Sequence, residues 1–261
     1  PAKGRGVFLK IQVSTASDWT GRIPFCTARL ASSIMKTSRF VGLLLSIITL
    51  IVPSTLEAAA AGTAWKAGAA SADITPDDPV WLVGYGFRTK PSEGVDHPIY
   101  AKALAVDDSN GGRMVFVTLD LLGVPVEIRN AVVRQAGEKF QLSPESILIN
   151  GSHTHSGPAV NGRGVSDPVF ARKGDEYGRF VTDKIVQVIG EALSHSEPAT
   201  LHYTRARAGF AMNRRLPVGN EIQNSPNPDG PVDHDVPVLR VTAADGSIKA
   251  IMFGYACHNT T

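Results

Sequence analysis

The chain has 261 residues, 43% hydrophobic and 19% charged, which is ordinary globular composition and enough for a sizeable core in one large domain or two small ones. Its formal charge of +2 mixes two unlike regions: residues 1–61 carry seven Lys/Arg against Asp18 and Glu57, so the remainder is mildly acidic. That balance excludes the basic face needed to bind a phosphate backbone, and a lone Cys257 beyond the leader excludes a disulfide-stapled scaffold.

The first sixty residues read as an address. Met35 is followed by Lys36 and Arg39, then the apolar run Phe40–Val52, then Pro53 and small residues. A positive start, a short apolar core and a small-residue cleavage region make a secretory signal over residues 35–61, cut among Ala58–Gly62. The run falls short of the roughly twenty residues of a membrane span, an uncleaved anchor being the alternative. The expectation is therefore a secreted or periplasmic protein. Residues 1–34 begin with Pro and show no clear periodicity; they read as upstream translation or a disordered leader. Residues 62–261 are then the body of the protein.

AWKAGAASADITPDD reads as a first strand that stops at Pro76, followed by a Gly- and Pro-rich loop, WLVGYGFRTKPSEGVDHP. A second strand follows in IYAKALAVDD, and Ser109–Gly112 is turn chemistry leading into a buried strand, RMVFVTLDLLG, ending near Asp120. Apolar residues at Val126, Ile128, Val132 and Val133 among good helix formers predict a helix from about Pro125. SPESILINGSHTH is the next strand. The clearest amphipathic helix is DEYGRFVTDKIVQVIGEALSHS, with Phe180, Ile185, Val188, Ile189 and Leu193 along one side. TLHYTRARAGFAMNRR reads as a strand running into a loop, and NEIQNSPNPDGPVDHD as a long loop. The chain closes with a hairpin turning at Asp245–Gly246. Strands mixed with helices and hairpins predict an α/β or α+β layered domain with a mixed sheet.

Two of the seven histidines, His153 and His155, stand one residue apart in ILINGSHTHSGP. On a strand, side chains two apart share a face, so the two imidazoles would lie side by side at its polar end. That suits a divalent metal, zinc first, or one imidazole on the metal and its neighbour handling substrate or protons. Two histidines hydrogen-bonded to backbone at a strand end are the alternative. His258, at the polar end of IMFGYACHNTT, could converge on the same point.

NGSHTHSGP resembles the signature of the neutral/alkaline non-lysosomal ceramidases. ADITP, VFVTLDLLG, NRR, VDHDVPVLRV and ACHNTT follow in that family's order over roughly residues 66–261. The resemblance implies that His153 and His258 ligate Zn2+, that His155 lies beside the metal and helps bind the amide substrate, and that Arg214 also contacts substrate. It implies two further ligands, a glutamate and a tyrosine, beyond Thr261, so this segment alone is expected to be inactive. The implied reaction is hydrolysis of a linear amide in ceramide or a related N-acyl lipid, met at a membrane surface. His155 would stabilise the oxyanion with Arg214 and pass a proton to the leaving amine. CHNTT departs from the family's usual H-G-T-S, which leaves open a zinc amidase or esterase with another substrate, or a non-catalytic secreted relative.

Asp120 could orient a metal-bound histidine or cap the following turn. His97, His195, His202 and His234 read as surface or packing residues, and Cys257 as a buried hydrophobe rather than a ligand. Gly84-Tyr85-Gly86 lacks the third glycine of a dinucleotide fingerprint, and Ser156 lacks the nucleophile elbow. The glycosylation patterns at Asn150 and Asn259 lie too close to the histidines to carry a glycan.

Overall fold

A computed structural model describes residues 10–15 and 65–258; the signal-like run 35–61 lies outside the described residues. One eight-stranded mixed sheet dominates: β1 (Lys10–Thr15), β2 (Trp65–Asp73), β3 (Tyr100–Asp107), β4 (Arg113–Leu119), β5 (Ile147–Gly151), β6 (Glu197–Arg207), β9 (Asp235–Ala243) and β10 (Ile248–Tyr255). A small hairpin, β7 (Leu216–Val218) with β8 (Glu221–Gln223), stands apart, and the helices are α1 (Val126–Phe140) and α2 (Pro168–Ser194). The order in the large sheet is β1-β10-β9-β6-β2-β3-β4-β5, antiparallel throughout except for the parallel β4–β5 pair. The α+β expectation holds.

Both faces of the sheet are built by period-two alternation. Ala101, Ala103 and Ala105 of β3 and Val115, Val117 and Leu119 of β4 face the helices, where they meet Val181, Ile185, Val188 and Ile189 of α2 and Ile128, Val132 and Ala136 of α1. Leu104 and Val106 turn the other way and join Ala67, Val241 and Ala250 in a second cluster, edged by Phe116, Leu239 and Met252. The sheet coils over this second cluster, bringing β1 close to β3, β4 and β5. Twist of a long sheet produces this coiling, and it matters because β10 and β5 are far apart in strand order.

Three expectations are corrected, and one strand lies where none was expected: Lys10–Thr15 pairs antiparallel with Tyr255–Ala250 and completes the β10 edge. The second helix starts at Pro168, well before Asp175, because the Asp167 carboxylate accepts from the Val169 and Phe170 amides and proline fits the first helical position. Phe180 is exposed, and Val181 takes the core position expected of it. The loop after Asn220 contains β8, paired with β7 around a turn at Gly219-Asn220.

Candidate metal centre

The parallel pairing of β4 with β5 sets Leu119 beside Gly151, so the segments leaving the two strands emerge together at the sheet's edge. They stay joined by two further backbone bonds. The Ser152 amide donates to the Leu119 carbonyl at 2.8 Å and the His153 amide to the Leu121 carbonyl at 3.0 Å. The His153 ring closes the cradle, its Nδ1 standing 2.7 Å from the Leu122 carbonyl. A carbonyl only accepts, so Nδ1 carries the proton and Nε2 presents its lone pair outward.

The same-face strand argument for His153 and His155 is therefore overturned in its cause. β5 ends at Gly151, and His153 takes a left-handed backbone with φ of 59°. Such a conformation is uncommon outside glycine, and it clusters at functional sites. The rings meet nevertheless, 5.1 Å between centroids and 80° between planes. His258 completes the group from the end of β10: its ring centroid lies 4.7 Å from that of His153 and 4.8 Å from that of His155. The Nε2 atoms of His153 and His258 are 3.1 Å apart. One ligand atom from each of the three falls within 4.8 Å of the others. The coiled sheet is what joins residues 105 positions apart in the chain.

At His155 and His258 the electrostatics favour the neutral imidazole. Burial holds the His258 ring below its ordinary pKa, with smaller contributions from His153, His155, Arg214 and Arg215. Burial likewise pushes His155 down, helped by His153 and Arg88 and opposed by the Gly84 backbone. Neither ring nitrogen of His155 has a well-formed hydrogen bond among the described residues, although both are shut off from solvent. Buried nitrogens without a well-formed hydrogen bond, beside two more imidazoles, are what a metal or substrate atom would satisfy. The donor set fits a divalent ion that takes nitrogen ligands. Arg214 is half-buried on the loop after β6, within electrostatic reach of His258.

Asp120 plays neither role considered for it: its Oδ2 accepts from the Tyr100 amide at 3.0 Å, clamping the start of β3. The orienting partner of His153 is a backbone carbonyl instead. His97 bonds the Pro98 carbonyl, His234 the Ala208 carbonyl, and His195 caps α2, while His202 lies exposed on β6. Cys257 is half-buried and outside the histidine group.

Three residues that carry this site escaped the sequence reading. Gly84, with φ of +106°, lies against His155, where a Cβ would stand 2.7 Å from Cγ of the ring. Tyr85 meets the His155 ring edge-on at 5.0 Å, and Arg88 Nη2 donates to the His155 carbonyl at 2.7 Å. The glycine-rich loop dismissed as a nucleotide motif is thus the wall of the histidine site. Its signal was the glycine itself, since only glycine allows so close an approach at positive φ.

Fold and site together define a layered α+β domain with a metal-competent histidine cluster at one end of its sheet. Residues 65–261 match the family model for the N-terminal part of neutral/alkaline non-lysosomal ceramidases, and the chain belongs to that family. It is 27% identical over 210 residues to neutral ceramidase B of Dictyostelium discoideum, covering 76% of this chain and 29% of that protein. Neutral ceramidase 2 of Arabidopsis thaliana is 31% identical over 100 residues, covering 36% of this chain and 13% of that one. The fold resembles the crystal structure of neutral ceramidase from Pseudomonas aeruginosa, with a TM-score of 0.58 at 23% identity over 71% of this chain and 30% of that one. The chain thus spans about three tenths of the length of the Dictyostelium relative.

Proposed function

We propose that the chain is part of an exported zinc amidohydrolase that cleaves the linear amide of ceramide or a related N-acyl lipid. The observation that carries the reading is the convergence of His153, His155 and His258 from distant parts of the chain. Family membership favours ceramide, the substrate in the names of the relatives. The segment from Met35 favours export.

His153 and His258 would hold the ion. Their Nε2 atoms lie 3.1 Å apart, so both could reach one ion. The Leu122 carbonyl fixes the tautomer and orientation of His153, the role that outer partners play in metal sites. Bound there, zinc supplies Lewis acidity, polarising the amide carbonyl and acidifying water. His155, whose pKa burial lowers, would direct an N–H at the developing oxyanion, and its other nitrogen would take a proton from the attacking water and hand it to the leaving amine. The Arg214 guanidinium adds fixed positive charge beside the same point.

The test uses the full-length protein. Wild type should release fatty acid from a labelled ceramide faster than from shorter N-acyl amines, and His153→Ala should lose both zinc and activity. A His153→Ala enzyme with normal zinc and turnover would end the proposal. Preference for the shorter amines would replace ceramide as the substrate, and zinc binding without turnover of any amide would mark a non-catalytic relative.

A further inference from the structure

His153 and His155 are held in different ways. His153 is fixed by the continuation of β4, through backbone bonds to Leu121 and a ring bond to Leu122. His155 lies beyond that pairing, in a turn, and neither of its ring nitrogens is anchored by a well-formed hydrogen bond. Its restraint comes instead from residues 81–88, a strap laid across the outgoing chain. Along this strap the Ala159 amide donates to the Trp81 carbonyl at 2.8 Å, the Val83 amide to the Gly157 carbonyl at 3.0 Å, and Leu82 bridges Pro158.

The strap ends on His155 itself. Arg88 Nη2 donates to its carbonyl at 2.7 Å. The Arg88 guanidinium also lies over the Tyr85 ring at 5.4 Å, and that ring meets His155 edge-on at 5.0 Å. One cation therefore grips both the backbone of His155 and the aromatic wall that its imidazole leans on. A charge-assisted hydrogen bond and a cation–π contact acting together are a rigid arrangement for a loop residue.

We propose that Arg88 is a positioning residue for His155: with Tyr85 it sets the imidazole in its place beside His153 and His258, without touching substrate or metal. This rests on the amidohydrolase reading for its kinetic arm. Because His153 is held by the continuation of β4 and His258 follows β10, neither on the strap, loss of Arg88 should disturb one imidazole and leave the other two in place.

The full-length protein with Arg88→Ala and Arg88→Lys separates the possibilities. Arg88→Ala should lower kcat on labelled ceramide about 10–100-fold, the usual effect of removing a partner that orients a site residue. Its KM should stay within about threefold and its zinc content at the wild-type level. Arg88→Lys, which keeps one donor for the carbonyl, should recover part of the loss. Unchanged kcat would overturn the proposal, as would zinc loss in proportion to activity, or a raised KM at intact kcat, which would make Arg88 a substrate contact. A crystal structure of Arg88→Ala supplies an arm that needs no turnover: the His155 ring should leave its place while those of His153 and His258 stay. An unmoved ring sinks the proposal even if the enzyme is a ceramidase. A moved ring upholds it even if wild type cleaves no ceramide.

Discussion

Replacing Gly84 with alanine adds one methyl group and tests the packing of the site. At φ of +106° an L-residue is strained, at a cost of about 1–2 kcal/mol by analogy with other left-handed positions. The new Cβ would lie 2.7 Å from His155 Cγ and 2.8 Å from its Cα and Cβ, all well inside van der Waals contact. Overpacking of this kind adds about 1–3 kcal/mol, so the total is about 2–5 kcal/mol. Either the strap yields, and the protein loses stability, or the imidazole yields, and the protein loses activity. Gly86 supplies the control, because a Cβ there meets nothing within 4 Å and its backbone is not at positive φ. Thermal unfolding of the full-length protein and its turnover of labelled ceramide are the assays. Gly84→Ala should lower Tm by about 4 °C or more, taking about 2 °C per kcal/mol for a domain of this size, or cut turnover, or both. Gly86→Ala should match wild type in each. If the two variants behave alike, the loop does not lie against His155 and the account of the site wall is wrong.

Tyr177 donates its hydroxyl to the carbonyl of fully buried Ile74 at 2.6 Å, and burial keeps the phenol protonated by pushing its pKa up, so it remains a donor across the working pH range. Tyr177→Phe should cost about 1–3 kcal/mol by leaving that carbonyl unpaired, read as a fall in the denaturant midpoint; an unchanged midpoint would refute the bond. Gly178 sits where a Cβ would stand 2.2 Å from the Val160 carbonyl oxygen, so Gly178→Ala should push the chain following the histidines off α2 and lower Tm by several degrees; equal melting curves would show the contact is absent. Asp167→Ala removes the α2 cap and should cost about 1 kcal/mol in the same melting assay, with turnover per folded molecule unchanged.

Most of the sheet was legible because each of its strands carries its pattern within itself. β3 and β4 are apolar runs buried over consecutive residues, and the turns of the β3–β4 and β9–β10 hairpins are marked by Ser109–Gly112 and by Asp245-Gly246, where Gly246 adopts φ of +84°. The losses fall where a signal was short or displaced. The first turns of α2 bury nothing before Gly174, and Val169 lies exposed, so periodicity located the helix only from its buried middle; the Asp167-Pro168 pair marks its true start. The β7–β8 hairpin is three residues a side, too brief to alternate visibly, although Gly219-Asn220 is a hairpin dipeptide. The pairing of Lys10–Thr15 depends on an open edge of β10, which is a property of the assembled sheet and not of those six residues.

The histidine site divides along the same line. The H-x-H spacing placed His153 and His155 together for a reason the structure does not use, since β5 stops short of both. Their adjacency survives because the cradle made by Leu119, Leu121 and Leu122 fixes one ring, while the strap fixes the other. A bond from the Arg88 side chain to a main-chain carbonyl 67 residues away leaves no trace in local spacing, because any residue could supply that carbonyl. What the sequence does retain is the constraint on the neighbour: a glycine where the imidazole comes too near for a methyl. Convergent sites of this kind are better sought through the residues that must be small than through the residues that react, because steric exclusion admits one amino acid where hydrogen bonding admits many.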